Sequence, residues 1–474
     1  MELTGLILNN RTEAKTSQSH FRKDNDKKVY IETYGCQMNF SDTEIVLGVM
    51  SRYGYNETTD LRDSDVILLN TCSIRDNAER KIYSRLDELK FEKRRNPNLI
   101  IGILGCMAER LRKDLLEEKK MVDIIVGPDE YRKVPELIDN LAETGEKGIA
   151  VKLSRVETYD DITPLRRDGV SAWLSVMRGC DKFCTFCVVP FTRGRERSRS
   201  LAGVVNEAVQ LAEQGVKDIW LLGQNVNSYN HDGKDFADLL HTVASELPQV
   251  RIRYTTSHPY DLSMKLLETM ASHDNICKYI HLPLQSGSDR ILKLMNRLYT
   301  VKQYMEVMKT ARSMMPDIGL STDIISCFPG ETEDDHKMTL DAIREVRYDG
   351  AYTFLYSPRE NTKAFSMDWS FSEEVRKRRL DEIISLQREI SFDINKSLIG
   401  KLKTILVESR SKKSDDQFIG RTDCNKSVII PGSFVSDSSR HKVSAGDIVD
   451  AEIRKANSAT LFGDIRSVRD SITN

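Results

Sequence analysis

The chain has 474 residues and a formal net charge of −2, and 30% of its residues are charged. This length allows two to four domains with sizeable cores, and the small net charge excludes a global electrostatic attraction to nucleic acid. No uninterrupted apolar stretch reaches the roughly 18 residues of a membrane span. Nine Cys in a large, charged chain favour metal ligation in a reducing compartment over disulfides. We therefore expect a cytoplasmic protein.

The first 28 residues contain no long apolar run, and their last part is a charged stretch from Arg22 to Lys28. This pattern predicts a disordered tail over residues 1–27 and not a signal peptide. Changes in composition and periodicity then predict three domains. They cover residues 28–147, 166–397 and 400–467.

The first predicted domain contains three apolar, β-prone runs, each ending just before a Cys. The runs cover residues 29–34, 66–69 and 99–104, and they precede Cys36, Cys72 and Cys106. A helical pattern follows each Cys, which predicts a parallel sheet covered by helices. Because functional groups gather at the carboxyl ends of such strands, the three Cys can converge. Three thiolates would hold a [4Fe–4S] cluster with one iron left open; the alternative is three buried core thiols.

The stretch that opens the second predicted domain contains the spacing C-x3-C-x2-C, formed by Cys180, Cys184 and Cys187. Three thiolates this close can ligate three irons of one [4Fe–4S] cluster. The fourth iron would stay open, and an open coordination position indicates chemistry more than scaffolding. Zinc-type C-x2-C pairs normally recur twice, so a zinc knuckle or a chance cluster is the less favoured alternative.

The rest of the second domain alternates strands and helices. Its strand candidates cover residues 173–177, 218–222, 251–255, 278–282, 318–325 and 351–355. Six strand–helix units predict an open, partial barrel, short of the eight that close one. The C-x3-C-x2-C loop follows the first strand, at the face where active sites of such barrels lie.

Polar residues follow other strands at the same predicted face. Gln285 and Ser286 follow the fourth strand, and Gln224 follows the second. Gln285 and Ser286 could hydrogen-bond the ribose or carboxylate of a cofactor. They could equally be loop residues that satisfy their own backbone, since such residues are common in turns.

Four Arg recur at every second position just after the C-x3-C-x2-C loop: Arg193, Arg195, Arg197 and Arg199. In an extended segment all four guanidinium groups would share one side, an arrangement that suits phosphates of RNA. The alternative is a set of salt bridges, which contribute little to stability when exposed.

The last predicted domain contains about five short strands separated by polar turns, which predicts a small β-barrel of the OB-like type. Residues 401–474 carry 13 Lys or Arg against 10 Asp or Glu. This small basic excess is compatible with RNA binding and equally with an ordinary solvated surface.

The C-x3-C-x2-C motif resembles that of the radical S-adenosylmethionine (SAM) enzymes. The order of the three domains, with Tyr34-Gly35-Cys36-Gln37-Met38-Asn39, Asn70-Thr71-Cys72 and the Arg-rich run, resembles the methylthiotransferase family from about residue 28 onward. The last domain is similar to the family's TRAM domain. Within the family, these motifs are similar to those of the branch that modifies isopentenyladenosine in tRNA. One departure is Ser326-Cys327, where the family has Val-Gly; we expect it to alter local packing only.

The resemblance implies a fold and a set of ligands. The α/β domain would hold an auxiliary [4Fe–4S] cluster on Cys36, Cys72 and Cys106, and the (β/α)6 domain a radical-generating cluster on Cys180, Cys184 and Cys187. Phe186 would lie beside the adenine of SAM, and Gln224 near its amino group. One SAM would donate a methyl group and another would yield the radical.

The resemblance also implies a product and partners. The product would carry a methylthio group on carbon 2 of N6-isopentenyladenosine at position 37 of tRNA. The partners would be the anticodon stem-loop of tRNA and an electron donor such as flavodoxin or ferredoxin. We expect a monomer without membrane contact.

Three other interpretations remain open at this stage. A methylthiotransferase could act instead on threonylcarbamoyladenosine in tRNA or on an Asp of a ribosomal protein. A non-catalytic iron–sulfur protein that binds RNA or transfers electrons would need a fourth ligand for each cluster. The remaining Cys that could supply one are Cys277, Cys327 and Cys424.

Overall fold

The computed structural model describes residues 27–73, 76–166, 169–368, 370–436 and 439–469. All but the last residue of the predicted disordered tail lies outside the described residues. No helix in the described ranges is both long enough and apolar enough to cross a lipid bilayer.

The first unit is a parallel sheet with helices on both faces. Its elements are β1 (Lys28–Tyr34), α1 (Gln37–Arg52), β2 (Asn56–Glu57), β3 (Val66–Thr71), α2 (Asp76–Arg95), β4 (Ile100–Gly105), α3 (Cys106–Glu118), β5 (Ile124–Val126), α4 (Val134–Thr144) and β6 (Gly148–Ala150). The strand order is β2-β1-β3-β4-β5-β6. Every residue of β3 is buried, as expected for a central strand covered on both faces.

The strand order of this sheet reverses between β1 and β3. Ligands of open α/β sheets bind at such a reversal, outside the carboxyl ends of the strands. Cys36, Cys72 and Cys106 directly follow or closely follow the carboxyl ends of β1, β3 and β4, which are neighbours in the sheet. The topology alone therefore brings the three Cys to one edge.

The second unit is a six-stranded partial barrel. Its elements are β7 (Ser171–Ser175), β8 (Met177–Arg178), α5 (Val189–Thr192), β9 (Arg197–Ser198), α6 (Leu201–Glu213), β10 (Asp218–Leu222), β11 (Asn230–His231), β12 (Lys234–Asp235), α7 (Phe236–Glu246), β13 (Arg251–Thr255), α8 (Met264–Ser272), β14 (Tyr279–His281), α9 (Asp289–Leu294), α10 (Val301–Met314), β15 (Gly319–Ser326), α11 (Glu333–Val346), β16 (Gly350–Leu355) and α12 (Glu373–Lys396). The parallel sheets β7-β10-β13 and β14-β15-β16 are joined by a parallel bridge between Ile252 and Ile276.

The third unit is a closed barrel of five strands. Its elements are β17 (Leu402–Arg410), β18 (Gln417–Thr422), β19 (Ser427–Pro431), β20 (Ser433–Ser436), β21 (Ser439–Lys442), β22 (Ile448–Ala456) and β23 (Thr460–Arg469). The order around the barrel is β17-β18-β19-β23-β22, and β20 pairs with β21. The predicted fold class, an α/β domain, a partial (β/α)6 barrel and a small β-barrel, is confirmed.

Short 3-10 helices interrupt the loops. They cover Leu61–Asp63, Tyr131–Lys133, Val226–Ser228, Pro259–Asp261 and Lys363–Ser366.

The third unit packs against the amino-terminal edge of the partial barrel. Arg251 Nη1 donates to the backbone oxygen of Arg421 at 2.7 Å. Arg253 donates to the backbone oxygens of Thr422 and Asp423 at 2.8 and 3.0 Å. Because both Arg lie in β13 near its start, the small barrel lies at the edge opposite the C-x3-C-x2-C loop.

Candidate metal centres

The three Cys of the first unit converge. The thiol of Cys72 hydrogen-bonds that of Cys36, and Cys106 is close enough to Cys36 for their charges to interact. Cys72 and Cys106 are 2% and 3% exposed. The loop is closely packed here, because a Cβ on Gly35 would lie 2.7 Å from Cβ of Cys72.

The thiols of this group differ in acidity. The hydrogen bond from Cys72, helped by the nearby Arg193 charge and opposed by burial, lowers the pKa of Cys36 to about 6. Burial raises the pKa of Cys106, although Arg193 opposes it. One thiolate is therefore available near neutral pH, and thiolate is the form that ligates iron.

The C-x3-C-x2-C loop lies between β8 and α5. Gly179 starts it with φ of +80°, and a Cβ there would lie 1.9 Å from the backbone oxygen of Arg195. The Cys187 N–H donates to the backbone oxygen of Cys184 at 3.0 Å, and the charges of Cys180 and Cys184 both act on Cys187. The predicted set of three is therefore brought together.

Burial makes two thiols of this second group, Cys180 and Cys187, weaker acids. Burial raises the pKa of Cys180 to about 12 and raises that of Cys187 as well. Arg297 Nη1 donates to Sγ of Cys184 at 3.3 Å, while its other donors bind Tyr299 and the backbone of Pro283. A bound metal would deprotonate these thiols, since a coordinating thiol loses its proton.

A buried ion network joins the first three-Cys group to the second unit. Asp42, on α1, accepts from Arg178 at 2.8 Å and from Arg193 at 2.7 Å. Burial would raise the pKa of Asp42, but the two Arg hold it below its usual value. Arg193 also donates from Nε to Sγ of Cys106 at 3.2 Å, and Arg193 directly follows α5, which begins two residues after Cys187.

Sequence reasoning missed three residues of these contacts: Asp42, Arg178 and Arg297. Asp42 lies 136 and 151 positions from its two partners. No local pattern could have indicated such a pairing.

The predicted row of four Arg does not form one exposed side. Arg193, Arg197 and Arg199 are 3%, 6% and 6% exposed. Arg197 pairs with Asp129 at 2.7 Å, and Arg199 pairs with Asp160 and Glu207, both at 2.7 Å. The segment is extended only at β9, so the side chains do not simply alternate. Arg193 and Arg197 form ion pairs with the first unit, Arg199 pairs with α6 and with the segment that precedes β7, and the salt-bridge alternative therefore fits all three.

Arg195 is the exposed member of the row. Its side chain is 61% exposed and pairs with Asp181 at 2.8 Å. Its guanidinium lies 5.0 Å from the ring centre of Phe183.

A cavity of about 590 Å³ opens beside Cys184. Its lining includes the exposed rings of Phe183 and Phe191 together with the cations Arg290, Lys293 and Lys363 and, among the residues described, no carboxylate. In proteins that bind single-stranded RNA, aromatic side chains stack on the bases and cationic side chains contact the phosphates.

The predicted cofactor contacts lie at the carboxyl edge of the barrel. Gln224 accepts the N–H of Gly179, while its Nε2 is buried without a hydrogen-bond partner. Gln285 Oε1 is likewise buried without a partner. Ser286 lies 3.4 Å from Oγ1 of Thr339, and Phe186 stacks edge-on against Phe328 at 6.3 Å.

His258 adds a neutral donor to this edge. Burial lowers the pKa of His258 to about 2, so the ring is uncharged at neutral pH. Nδ1 accepts the N–H of Tyr260, which leaves the proton on Nε2, an atom buried without a partner. Unsatisfied buried donors and acceptors of this kind are costly, which supports a polar ligand here.

Two of the remaining Cys are poorly placed as fourth ligands. Cys277 precedes β14, and Cys424 packs on Gly319, the first residue of β15; both lie at the edge opposite the clusters of Cys. Cys327 follows β15, is 2% exposed, and lies 3.6 Å from Oγ of Ser326.

The donor sets fit two iron–sulfur clusters. Each set supplies three thiols, the ligand type that these clusters use, and each has one buried guanidinium at a sulfur. Within the described ranges, no three His, Cys, Asp or Glu side chains close on a single metal ion. The ligands of one iron–sulfur cluster bind different irons, so they need not surround a single ion.

Comparisons with known families match each unit. Residues 28–127 match "Uncharacterized protein family UPF0004", residues 174–343 the "Radical SAM superfamily" and residues 396–465 the "TRAM domain". Among solved structures, the chain is similar to the radical S-adenosylmethionine methyltransferase TsrM from Kitasatospora setae, with a TM-score of 0.58 and 14% identity over 72% of this chain and 75% of that one. This likeness concerns the fold.

Curated relatives match over nearly the whole chain. A tRNA-2-methylthio-N(6)-dimethylallyladenosine synthase from Chloroherpeton thalassium is 48% identical over 92% of this chain and 95% of its own. Synthases of the same name from Bacteroides fragilis and Phocaeicola vulgatus are each 47% identical, over 93% and 95% of this chain and 96% and 99% of their own. The chain belongs to the family of tRNA-2-methylthio-N(6)-dimethylallyladenosine synthases.

Proposed function

We propose that this protein is a radical SAM methylthiotransferase that places a methylthio group on carbon 2 of N6-isopentenyladenosine at position 37 of tRNA. The names of its relatives support the reaction and the tRNA substrate. The observation that carries the proposal is the presence of two three-Cys groups, each brought together by the fold, with Arg193 lying shortly after Cys187 in the chain and donating to Sγ of Cys106.

Two clusters and SAM, when bound, would supply the radical, the methyl group and the sulfur. This division suits the target, because the C–H bond of an aromatic ring has no acidic proton for a general base to remove at neutral pH. Cys180, Cys184 and Cys187 would hold the radical-generating cluster. Cys36, Cys72 and Cys106 would hold the auxiliary one.

The protein's own residues would orient SAM at the carboxyl edge of the barrel. A buried polar atom without a hydrogen-bond partner lies on each of Gln224, Gln285 and His258. Gln224 also accepts the N–H of Gly179 at the start of the C-x3-C-x2-C loop. Phe186 and Ser286 remain proposed neighbours of the cofactor, beside packing roles that their contacts already give them.

The RNA would contact the cationic aromatic surface made by Phe183, Phe191, Arg195, Lys293 and Lys363. The aromatic side chains of this surface are exposed, and they lie beside a cluster ligand, Cys184. A splayed-out base is the accessible form for a base-modifying enzyme. The anticodon stem-loop offers such a base in a single-stranded loop.

Further parts of the proposal follow from the fold and the need for electrons. The reductant would be flavodoxin or ferredoxin, the enzyme would act as a cytoplasmic monomer, and the domains would cover residues 28–147, 166–397 and 400–467.

The test is nucleoside mass spectrometry after anaerobic reaction. Reconstituted protein, SAM and a reductant are incubated with anticodon stem-loops that carry isopentenyladenosine, threonylcarbamoyladenosine or plain adenosine. We expect a methylthio group on isopentenyladenosine alone. The variant with Cys36, Cys72 and Cys106 changed to Ala should still cleave SAM but insert no sulfur.

Two results would overturn the substrate assignment. One is modification of threonylcarbamoyladenosine in preference to isopentenyladenosine. The other is a modified Asp in a ribosomal protein supplied to the same reaction, with no change in any RNA.

A further inference from the structure

Arg193 is a buried Arg with a contact to sulfur. It is 3% exposed, donates from Nε to Sγ of Cys106 at 3.2 Å, and donates from Nη2 to Oδ2 of Asp42 at 2.7 Å. Its remaining nitrogen, Nη1, is buried without a hydrogen-bond partner. The side chain therefore has donor capacity left beside the first three-Cys group.

Guanidinium groups outnumber carboxylates in the ion network beside this group. Arg178, Arg193 and Arg197 face two carboxylates, Asp42 and Asp129, and all five side chains are at most 4% exposed. The network thus carries an excess of one positive charge. A guanidinium is permanently protonated, so this excess persists at all ordinary pH values. The charge of Arg193 acts on Cys36 as well as on Cys106.

Arg197 offers a matched comparison from the same run. It is similarly buried, but both of its Nη atoms bind the carboxylate of Asp129, at 2.7 and 3.0 Å. It joins the same two units through oxygen acceptors. The contact to sulfur therefore distinguishes Arg193 from a neighbour with an equal structural role.

We propose that Arg193 is a positioning residue that donates to the Cys106 sulfur holding the auxiliary cluster and stabilises the reduced form of that cluster. The proposal rests on the proposed function, which assigns a cluster to Cys36, Cys72 and Cys106. Hydrogen bonds to cluster sulfurs and local charge set the reduction potential of such clusters. One-electron reduction adds a negative charge, and a nearby buried cation favours the more negative state. Loss of Arg193 should therefore shift the potential in the negative direction.

The experiment is a redox titration of the full chain in which Cys180, Cys184 and Cys187 are Ala, so that only the auxiliary cluster gives a signal. Dithionite with mediators supplies the electrons, and electron paramagnetic resonance detects the reduced cluster. The compared variants are Arg193→Met, Arg193→Gln, Arg197→Met and the parent. Iron and sulfide content are measured on each.

We expect Arg193→Met to lower the equilibrium constant for one-electron reduction about tenfold, which is 59 mV in the negative direction. Arg197→Met removes one charge from the same network but no contact to sulfur, so it should shift the potential by less than Arg193→Met does, with iron content unchanged. Arg193→Met could hold too little iron for titration while Arg197→Met keeps about four irons per chain. That result supports the positioning role, and the potential is then measured on Arg193→Gln.

An unshifted potential in whichever Arg193 variant retains the cluster would overturn the proposal. An equal shift in Arg197→Met would overturn it too, since the effect would then belong to the whole network. No RNA is needed, so the result is independent of the substrate. A parent that binds no cluster would reject the ligand assignment, whereas a cluster with an unshifted potential would reject only the role of Arg193.

Discussion

Single residues account for much of the contact between the first two units. Asp42 is completely buried and receives two guanidinium groups from the partial barrel. A buried ion pair contributes little net stability, but removing one partner leaves uncompensated charge and is strongly destabilising. Arg193 and Arg197 of the Arg-rich run therefore hold the two units together, a role that the regular spacing of the run does not indicate.

Replacing Asp42 by Asn should lower the free energy of unfolding by about 3 to 5 kcal/mol, because two buried Arg lose their counter-charge. Denaturant unfolding of the iron-free chain measures this. Asp161→Asn is the control, since Asp161 is 64% exposed and its ion pairs should contribute about 1 kcal/mol or less. Equal effects of the two substitutions would contradict the role given to Asp42.

Replacing Gly179 by Ala should abolish the radical-generating cluster. The new Cβ would lie 1.9 Å from a backbone oxygen, at a φ of +80°. Iron content should fall from about eight to about four per chain, since a cubane holds four irons. Gly215→Ala imposes a similar strain, with φ of +91° and no heavy atom within 4 Å, and should keep all the iron.

A Gly179→Ala protein that retains about eight irons would show that the loop tolerates the side chain. Loss of iron in Gly215→Ala as well would assign the effect to general instability.

At the scale of elements, the sequence predicted the strands of five or more residues best. Residues 218–222 and 251–255 were predicted with the same bounds that β10 and β13 have. The two- and three-residue strands β2, β5 and β6 were missed, because so short a run has no readable period. The hairpin of β20 and β21 was missed for its polar composition.

The candidate sites were predictable to the extent that topology determines them. Cys36, Cys72 and Cys106 converge because their strands are neighbours in a parallel sheet. The burial of Arg193 and Arg197 was not predictable, because it depends on Asp42 and Asp129, which lie in another domain. Spacing shows which side chains can share a face, whereas burial depends on what packs against it.

The cationic aromatic surface, which includes Lys293 of α9, gives a prediction at this scale. Changing Lys293 and Lys363 together to Glu should weaken binding of the anticodon stem-loop. The slope of log affinity against log salt should fall by about 0.7 for each phosphate of a single strand that the variant no longer neutralises. Fluorescence anisotropy over a range of salt concentrations measures both quantities.

The control is Lys337→Glu, an exposed Lys on α11 whose side chain is 64% exposed. This substitution also replaces a positive charge by a negative one, but at a residue that does not line the cavity. It should leave the slope unchanged. A slope that falls equally in the control would mean that the RNA senses net charge only.

At the scale of the whole molecule, each of the three units has its own position and role. The carboxyl edge of the sheet, with Cys36, Cys72 and Cys106, contacts the partial barrel through Asp42 and Arg193, and Arg193 lies shortly after Cys187 in the chain. The small barrel lies at the opposite edge, held by Arg251 and Arg253. It would therefore contact a part of the tRNA away from the reacting base.

Iron and sulfide analysis of the anaerobically reconstituted chain examines this arrangement. We predict about eight irons and eight sulfides per chain, falling to about four of each when Cys36, Cys72 and Cys106 are changed to Ala, because each group of three holds its own cubane. Changing Cys180, Cys184 and Cys187 instead should also leave about four. A chain that binds only about four irons at the outset, or that keeps its full content without the first three Cys, would contradict the presence of two clusters.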